Sequence, residues 1–263
     1  MPVTSHAIAV GGVKRRVLVA EPTGAATGVV LCLHGSGSTP ERQMHLSRMF
    51  AFAQRDVVVA FPQGSIPARR GSEWDLAGDL EYLDAVVDHL RTAFAAPAAP
   101  LCVSGMSGGA RIASQFSSAG RNPVDLLGAV AGLRVPAVER LERPVRVLAF
   151  HGTRDRINPY GGGDTDRWRE SVPEAASAWA RANGHAPDPA QTDPTPSLTR
   201  LDYGPPGDPG AVSLWVCDGA GHTWPGTHLS PLLRLFLGRV SHDVDATREI
   251  WRALSVAERS GAR

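Results

Sequence analysis

Six short stretches of the chain are apolar almost throughout: Val29–Leu33, Val57–Phe61, Leu101–Ser104, Leu127–Ala131, Val145–Phe150 and Val212–Cys217. Each is bounded by glycine, proline or polar residues. A strand with one face in water alternates apolar and polar residues, whereas a strand covered on both faces is apolar along its length. The runs therefore predict strands of a parallel sheet with helices on both sides. Ahead of them, residues 6–10 and 15–20 are β-rich and joined through Gly11-Gly12, which predicts an opening antiparallel hairpin.

Between the runs the period changes to that of a helix. Thr39-Pro40-Glu41 supplies an N-cap, a first-turn proline and an early acid, predicting a helix to about Gln54. Leu80, Leu83, Val86, Val87, Leu90 and Phe94 share one face of a second helix that starts at Asp79 and stops before Pro97. A third follows Ser107. Ser171-Val172-Pro173-Glu174 is a capping box for a fourth, closed by Gly184, and Ala246–Ala257 is the last. Strand–helix alternation of this kind predicts a doubly wound, mostly parallel α/β sheet. We read residues 1–263 as one domain. The segment 184–210, with seven prolines, is read as a surface excursion, with a short strand at Leu198–Tyr203.

Composition removes several classes of function. The 263 residues carry 27 Lys and Arg against 26 Asp and Glu, a formal charge of +1, without the clustered basic excess of a nucleic-acid binder. Lys14 is the sole lysine, so a phosphate-binding P-loop and a lysine Schiff base are both excluded. Cys32, Cys102 and Cys217 are odd in number, lack C-x-x-C spacing and lie in or beside apolar runs, which predicts small buried hydrophobes rather than disulfides. Neither a signal-peptide pattern nor a run of about 18 apolar residues occurs, so the expected location is the cytoplasm, away from membranes. No zinc-type Cys/His spacing appears, and Gly161-Gly162-Gly163 lacks the strand-to-helix setting of a dinucleotide site; neither metal nor cofactor is expected.

In open parallel sheets reactive groups collect at the carboxyl ends of the strands. After Leu101–Ser104 comes Gly105-Met106-Ser107-Gly108-Gly109, a G-x-S-x-G pattern between strand and helix, the setting of a nucleophilic serine on a tight turn. A serine needs a base to take its proton and an acid to orient that base. Val145–Phe150 leads into His151-Gly152-Thr153-Arg154-Asp155, and Val212–Cys217 leads into Asp218-Gly219-Ala220-Gly221-His222. Asp155 is thus the candidate acid, with Asp218 and Asp164 as rivals, and His222 the candidate base. The oxyanion calls for two amides, assigned to Gly108 and to Ser36 in the His34-Gly35-Ser36-Gly37 loop. His34 and His151 are read as structural hydrogen bonders; Arg154 and Arg156 flank the acid and are read as solvated loop residues, with contact to an anionic substrate as the alternative. Trp74 and Trp224 are candidate walls of an acyl or aryl pocket.

Taken in order, His34-Gly35, Phe61-Pro62-Gln63-Gly64, the serine turn, His151-Gly152-Thr153 with Asp155, and Gly221-His222-Thr223-Trp224-Pro225-Gly226 resemble the polyhydroxybutyrate depolymerase, LpqC-like and feruloyl esterase group of α/β-hydrolases. The resemblance spans roughly residues 28–255. It implies Ser107 as nucleophile, Asp155 as acid and His222 as base, the same assignment that strand ends suggest independently. The expected activity is that of a serine carboxylesterase hydrolysing a soluble acyl or aryl ester through this triad and an acyl-enzyme. A thioesterase, lactonase or acyltransferase with the same triad is the alternative, and a non-catalytic binding protein on the same scaffold a remote one. Oligomeric state is not encoded in these patterns.

Overall fold

The computed structural model describes residues 2–165 and 168–261, with backbone alone at 256–261. In chain order the elements are β1 (Val3–Val10), β2 (Val13–Ala20), β3 (Gly28–Leu33), α1 (Pro40–Ser47), β4 (Val57–Pro62), β5 (Ile66–Ala68), β6 (Gly71–Glu73), α2 (Leu80–Ala93), β7 (Leu101–Met106) and α3 (Gly108–Ala119). There follow β8 (Leu126–Val130), β9 (Arg146–Gly152), α4 (Val172–Ala182), β10 (Ala190–Thr195), β11 (Leu198–Tyr203), β12 (Val212–Cys217), α5 (Pro231–Leu237) and α6 (Ala246–Gly261).

Ten strands form one sheet in the order β1-β2-β4-β3-β7-β8-β9-β12-β11-β10. The six inner strands, β4 to β12, run parallel, and each edge is finished by an antiparallel pair. Each predicted apolar run falls on one of the inner strands. The reason lies in the packing on each side. Along β3, Val29, Leu31 and Leu33 join a core beneath α2, α3 and α4, while Val30 and Cys32 join a second core beneath α1 and α6. Both faces are covered, so both must be apolar. All three cysteines are free and buried.

The capping predictions hold at Thr39, whose side chain accepts from the Arg42 amide, and at Ser171, where both halves of the capping box form. The helix from Thr39 is shorter than expected. It ends at Ser47, Arg48 turns left-handed, and a separate 3₁₀ turn covers Met49–Arg55. The segment 184–210 also departs from expectation. Besides the anticipated strand at Leu198–Tyr203 it supplies β10, and the pair extends the sheet beyond β12. Pro194 is tolerated because β10 is the edge strand, where the register shifts between Thr192 and Thr195. No helix among the described residues is long and apolar enough to cross a membrane.

Chain order reverses between β3 and β7. From β3 the chain moves outward to β4, returns to β7 on the other side, and then continues through β8, β9 and β12. Loops at the carboxyl ends of β3 and β7 diverge at such a point and leave a crevice for ligand.

Candidate active site

Ser107 stands at that switch point, on the turn between β7 and α3, with φ 56° and ψ −119°. A positive φ is costly for a residue with a side chain and persists only where the surroundings enforce it. Here the enforcement is close packing of strand, turn and helix. A Cβ on Gly105 would lie 2.5 Å from the carbonyl carbon of Gly109, and one on Gly109 would collide with the carbonyl oxygen of Leu33 on β3. Only glycines permit the approach. The Ser107 amide donates to Val130 O on β8 at 2.9 Å, and the residue is 9% exposed.

Asp155 follows β9, and His222 follows β12. His222 Nδ1 donates to Asp155 Oδ2 at 2.7 Å. The other carboxylate oxygen, Oδ1, accepts from the amides of Ile157 and Asn158, each at 2.8 Å. Burial favours the neutral acid, but the His222 hydrogen bond and charge, the Asn158 amide and the His151 ring outweigh it and hold Asp155 below the ordinary aspartate range. Of the three candidate carboxylates, Asp155 is the one bound to His222. Asp218 instead accepts from Thr153 Oγ1 at 2.9 Å, and Asp164 is exposed.

Ser107 and Asp155 are linked through the loop after β8. Ala131, which follows the Val130 acceptor of Ser107, receives a hydrogen bond from Asn158 Nδ2 at 2.6 Å on its carbonyl oxygen. Asn158 in turn donates its amide to Asp155. Asn158 is therefore a supporting residue that sequence reading missed. Its only local signal is a position three residues after the acid, where a turn amide can reach back to a carboxylate. His151 is buried and donates Nε2–H to Asn158 O at 2.8 Å; burial depresses its proton affinity, in keeping with a structural role.

The loop after β3 faces the helix end below Ser107. A Cβ on Gly108 would lie 2.9 Å from the Ser36 amide nitrogen and against Ser36 Oγ, so the two candidate oxyanion donors are neighbours. Gly108 is the first residue of α3, and its amide has no partner within the helix. The loop is held by β5–β6, a hairpin the sequence did not disclose. The Gly37 amide donates to Ser72 O, and the Ser72 amide to Ser38 O, both at 3.0 Å. His34 braces the same region. Its Nδ1 donates to Gly35 O at 2.9 Å, and its Nε2 accepts from the Gly64 amide at 3.1 Å and from Ser72 Oγ at 3.2 Å. Burial lowers the proton affinity of His34, which fits an imidazole used as a neutral spacer.

Both tryptophans named as candidate pocket walls are buried, and neither lines the cavity beside His222. Trp74 is buried, donates Nε1–H to His34 O at 2.7 Å and packs its ring 4.8 Å from the His34 ring. Trp224 is fully buried beneath α6 and donates to Thr247 Oγ1 at 3.0 Å. The cavity that does adjoin His222, of about 600 Å³, is lined instead by residues of the Asp155 and His222 loops and of α5.

No protein-family model matches the chain. A curated bifunctional acetylxylan esterase/xylanase, XynS20E of Neocallimastix patriciarum, is 25% identical over 154 residues, 57% of this chain and 22% of that protein. The chain thus spans less than a quarter of that relative's length. Among solved structures, the acetyl xylan esterase of Aspergillus awamori superposes with a TM-score of 0.65 at 15% identity, covering 85% of this chain and 94% of that one. TT1662 of Thermus thermophilus superposes at 0.57 with 19% identity over the whole of both chains. An alpha-beta serine hydrolase homologue of Coxiella burnetii superposes at 0.52 with 14% identity, over 85% and 91%. Sheet order, helix placement and these superpositions agree that the chain has the α/β-hydrolase fold.

Proposed function

We propose that the protein is a serine carboxylesterase acting on a small acyl or aryl ester. The observation that carries the reading is the hydrogen-bonded pair of His222 and Asp155, set on neighbouring loops of the sheet edge where Ser107 sits on a strained strand-to-helix turn. The similarity to an acetylxylan esterase supports the reaction class.

In this reading Ser107 Oγ attacks the ester carbonyl carbon while His222 takes its proton. The amides of Gly108 and Ser36 hold the oxyanion. The carbon–oxygen bond to the alcohol breaks as His222 returns the proton to the departing oxygen. Water, deprotonated by His222, attacks the acyl-enzyme, and the acid leaves with Ser107 restored. Asp155 fixes the tautomer of His222 and stabilises the imidazolium. Water as the acceptor makes the enzyme a hydrolase; an alcohol in its place would make it an acyltransferase.

The test is turnover of 4-nitrophenyl butyrate. The parent protein releases nitrophenolate steadily, and Ser107→Ala lowers kcat/KM by a factor on the order of 10⁴ or more. A Ser107→Ala protein as active as the parent would refute the assignment.

A further inference from the structure

The cavity beside His222 has a lopsided charge. Arg154, Arg156, Arg234 and Arg239 line it against a single carboxylate, Asp218. The chain as a whole balances 27 basic against 26 acidic residues, so the excess is local. Arg154 and Arg156 flank Asp155, Arg234 lies on α5, and Arg239 lies just beyond it. Arg239 is occupied by a 3.3 Å hydrogen bond to Asp218 O, and the Asp218 carboxylate is engaged by Thr153. Among the described residues, Arg154, Arg156 and Arg234 have neither an ion pair nor a side-chain hydrogen bond. Guanidinium groups gathered around one cavity without counter-charge repel one another. A bound anion relieves that repulsion and accepts their paired N–H groups.

The cavity is lined by His222 and not by Ser107. In the cycle above, His222 is the group that meets the departing alcohol. We propose that the cavity receives the alcohol part of the ester and that this part carries an anionic group, a carboxylate or a phosphate, held by the arginines. The inference rests on the serine-esterase reading. Leu235 and Phe236 of α5, 80% and 74% exposed, line the same cavity and offer apolar surface to the carbon skeleton between ester and anion. The site thus combines guanidinium groups with exposed apolar side chains, which suits a small amphipathic alcohol or phenol.

The test compares kcat/KM for three butyrate esters: methyl 4-(butyryloxy)benzoate, which is neutral, 4-(butyryloxy)benzoate and 4-(butyryloxy)phenyl phosphate. The neutral ester has the better leaving group than the benzoate, so a preference for the benzoate cannot come from intrinsic reactivity. At low ionic strength the favoured anionic ester exceeds the neutral one by about tenfold, and the ratio contracts in roughly 0.5 M NaCl. Which anion is favoured identifies the group. Arg156→Gln and Arg234→Gln each shrink the ratio, while Arg121→Gln, at the far end of α3, leaves it intact. Circular dichroism of each variant confirms that it folds. Equal kcat/KM for all three esters, or a preference that both cavity variants leave untouched, overturns the anion site. Hydrolysis of none of them overturns the esterase reading as well.

Discussion

Asp155 holds its charge against burial because four neighbours reward the anion: the His222 ring, the amides of Ile157 and Asn158, and His151. Replacing it with Asn keeps the shape but presents an amide to His222 Nδ1, which stabilises the wrong tautomer. Asp155→Asn is expected to lower kcat roughly 10³- to 10⁴-fold with little change in KM, measured in the nitrophenyl assay. Protonation also reaches stability. The unfolded chain titrates its histidines near pH 6.5 and aspartate near 3.9. Burial lowers the proton affinity of His34 and His151 in the folded protein, and Asp155 is held low as well. For all three groups the unfolded state binds more protons below its own pKa, so stability declines on acidification. The histidines set the onset at about pH 6.5, and Asp155 adds to the decline below about pH 4. Urea midpoints are expected to be level from about pH 7 to 8 and to fall below about 6.5; a midpoint flat down to about pH 5 would contradict this. At this scale Ser107, Asp155 and His222 were legible as candidates because each lies in the loop or turn after an apolar run. Ser72 was not, because its hydrogen bonds join segments distant in sequence, and Asn158 carried only its spacing from Asp155, since its side-chain bond to Ala131 O spans 27 residues.

The elements that position these residues were legible where periodicity is strong. Runs apolar throughout became inner strands, and the Thr39 and Ser171 caps start helices as read. The pattern failed where composition and context compete. Arg48 in a left-handed conformation splits the Thr39 helix from the turn at Met49–Arg55, although apolar residues continue through both. The three-residue strands β5 and β6 are too short to carry a period, yet they tie down the loop that bears Ser36. Trp74 joins that hairpin to the loop. Trp74→Phe removes the 2.7 Å hydrogen bond to His34 O and leaves a buried carbonyl without its partner. The expected cost is about 1–3 kcal/mol in urea denaturation, with kcat falling more than KM rises as the oxyanion loop loosens. The β7–α3 turn gives a sharper case. Gly105→Ala places a methyl 2.5 Å from the Gly109 carbonyl carbon, which neither strand nor helix can yield cheaply. That variant is expected to lose about 1–3 kcal/mol of stability and most of its activity, read by thermal melting and ester turnover.

Over the whole molecule, a sheet with two covered faces explains both the apolar runs and the fate of the cysteines. Cys32, Cys102 and Cys217 are free and buried, and burial pushes the thiols of Cys32 and Cys217 up to about 11. None of the three is expected to react with Ellman's reagent in the native protein, and all three react in denaturant; rapid native reaction would show that the core opens. The same sheet brings Ser107 to the switch point between β3 and β7 and sets Asp155 and His222 after β9 and β12, so that three residues spread over 115 positions in the sequence stand at carboxyl ends of strands of one parallel sheet. Strand ends alone pointed to them, whereas the arginine cavity emerged only from the fold, since Arg234 and Arg239 lie on a helix and loop whose position no motif marks. The central claim is that Ser107 is a nucleophile activated by His222. Reaction with a fluorophosphonate probe, followed by peptide mass spectrometry, tests it most directly. The account predicts a single adduct on Ser107 that His222→Ala suppresses; a folded protein that takes no label, or takes it on another residue, would contradict it.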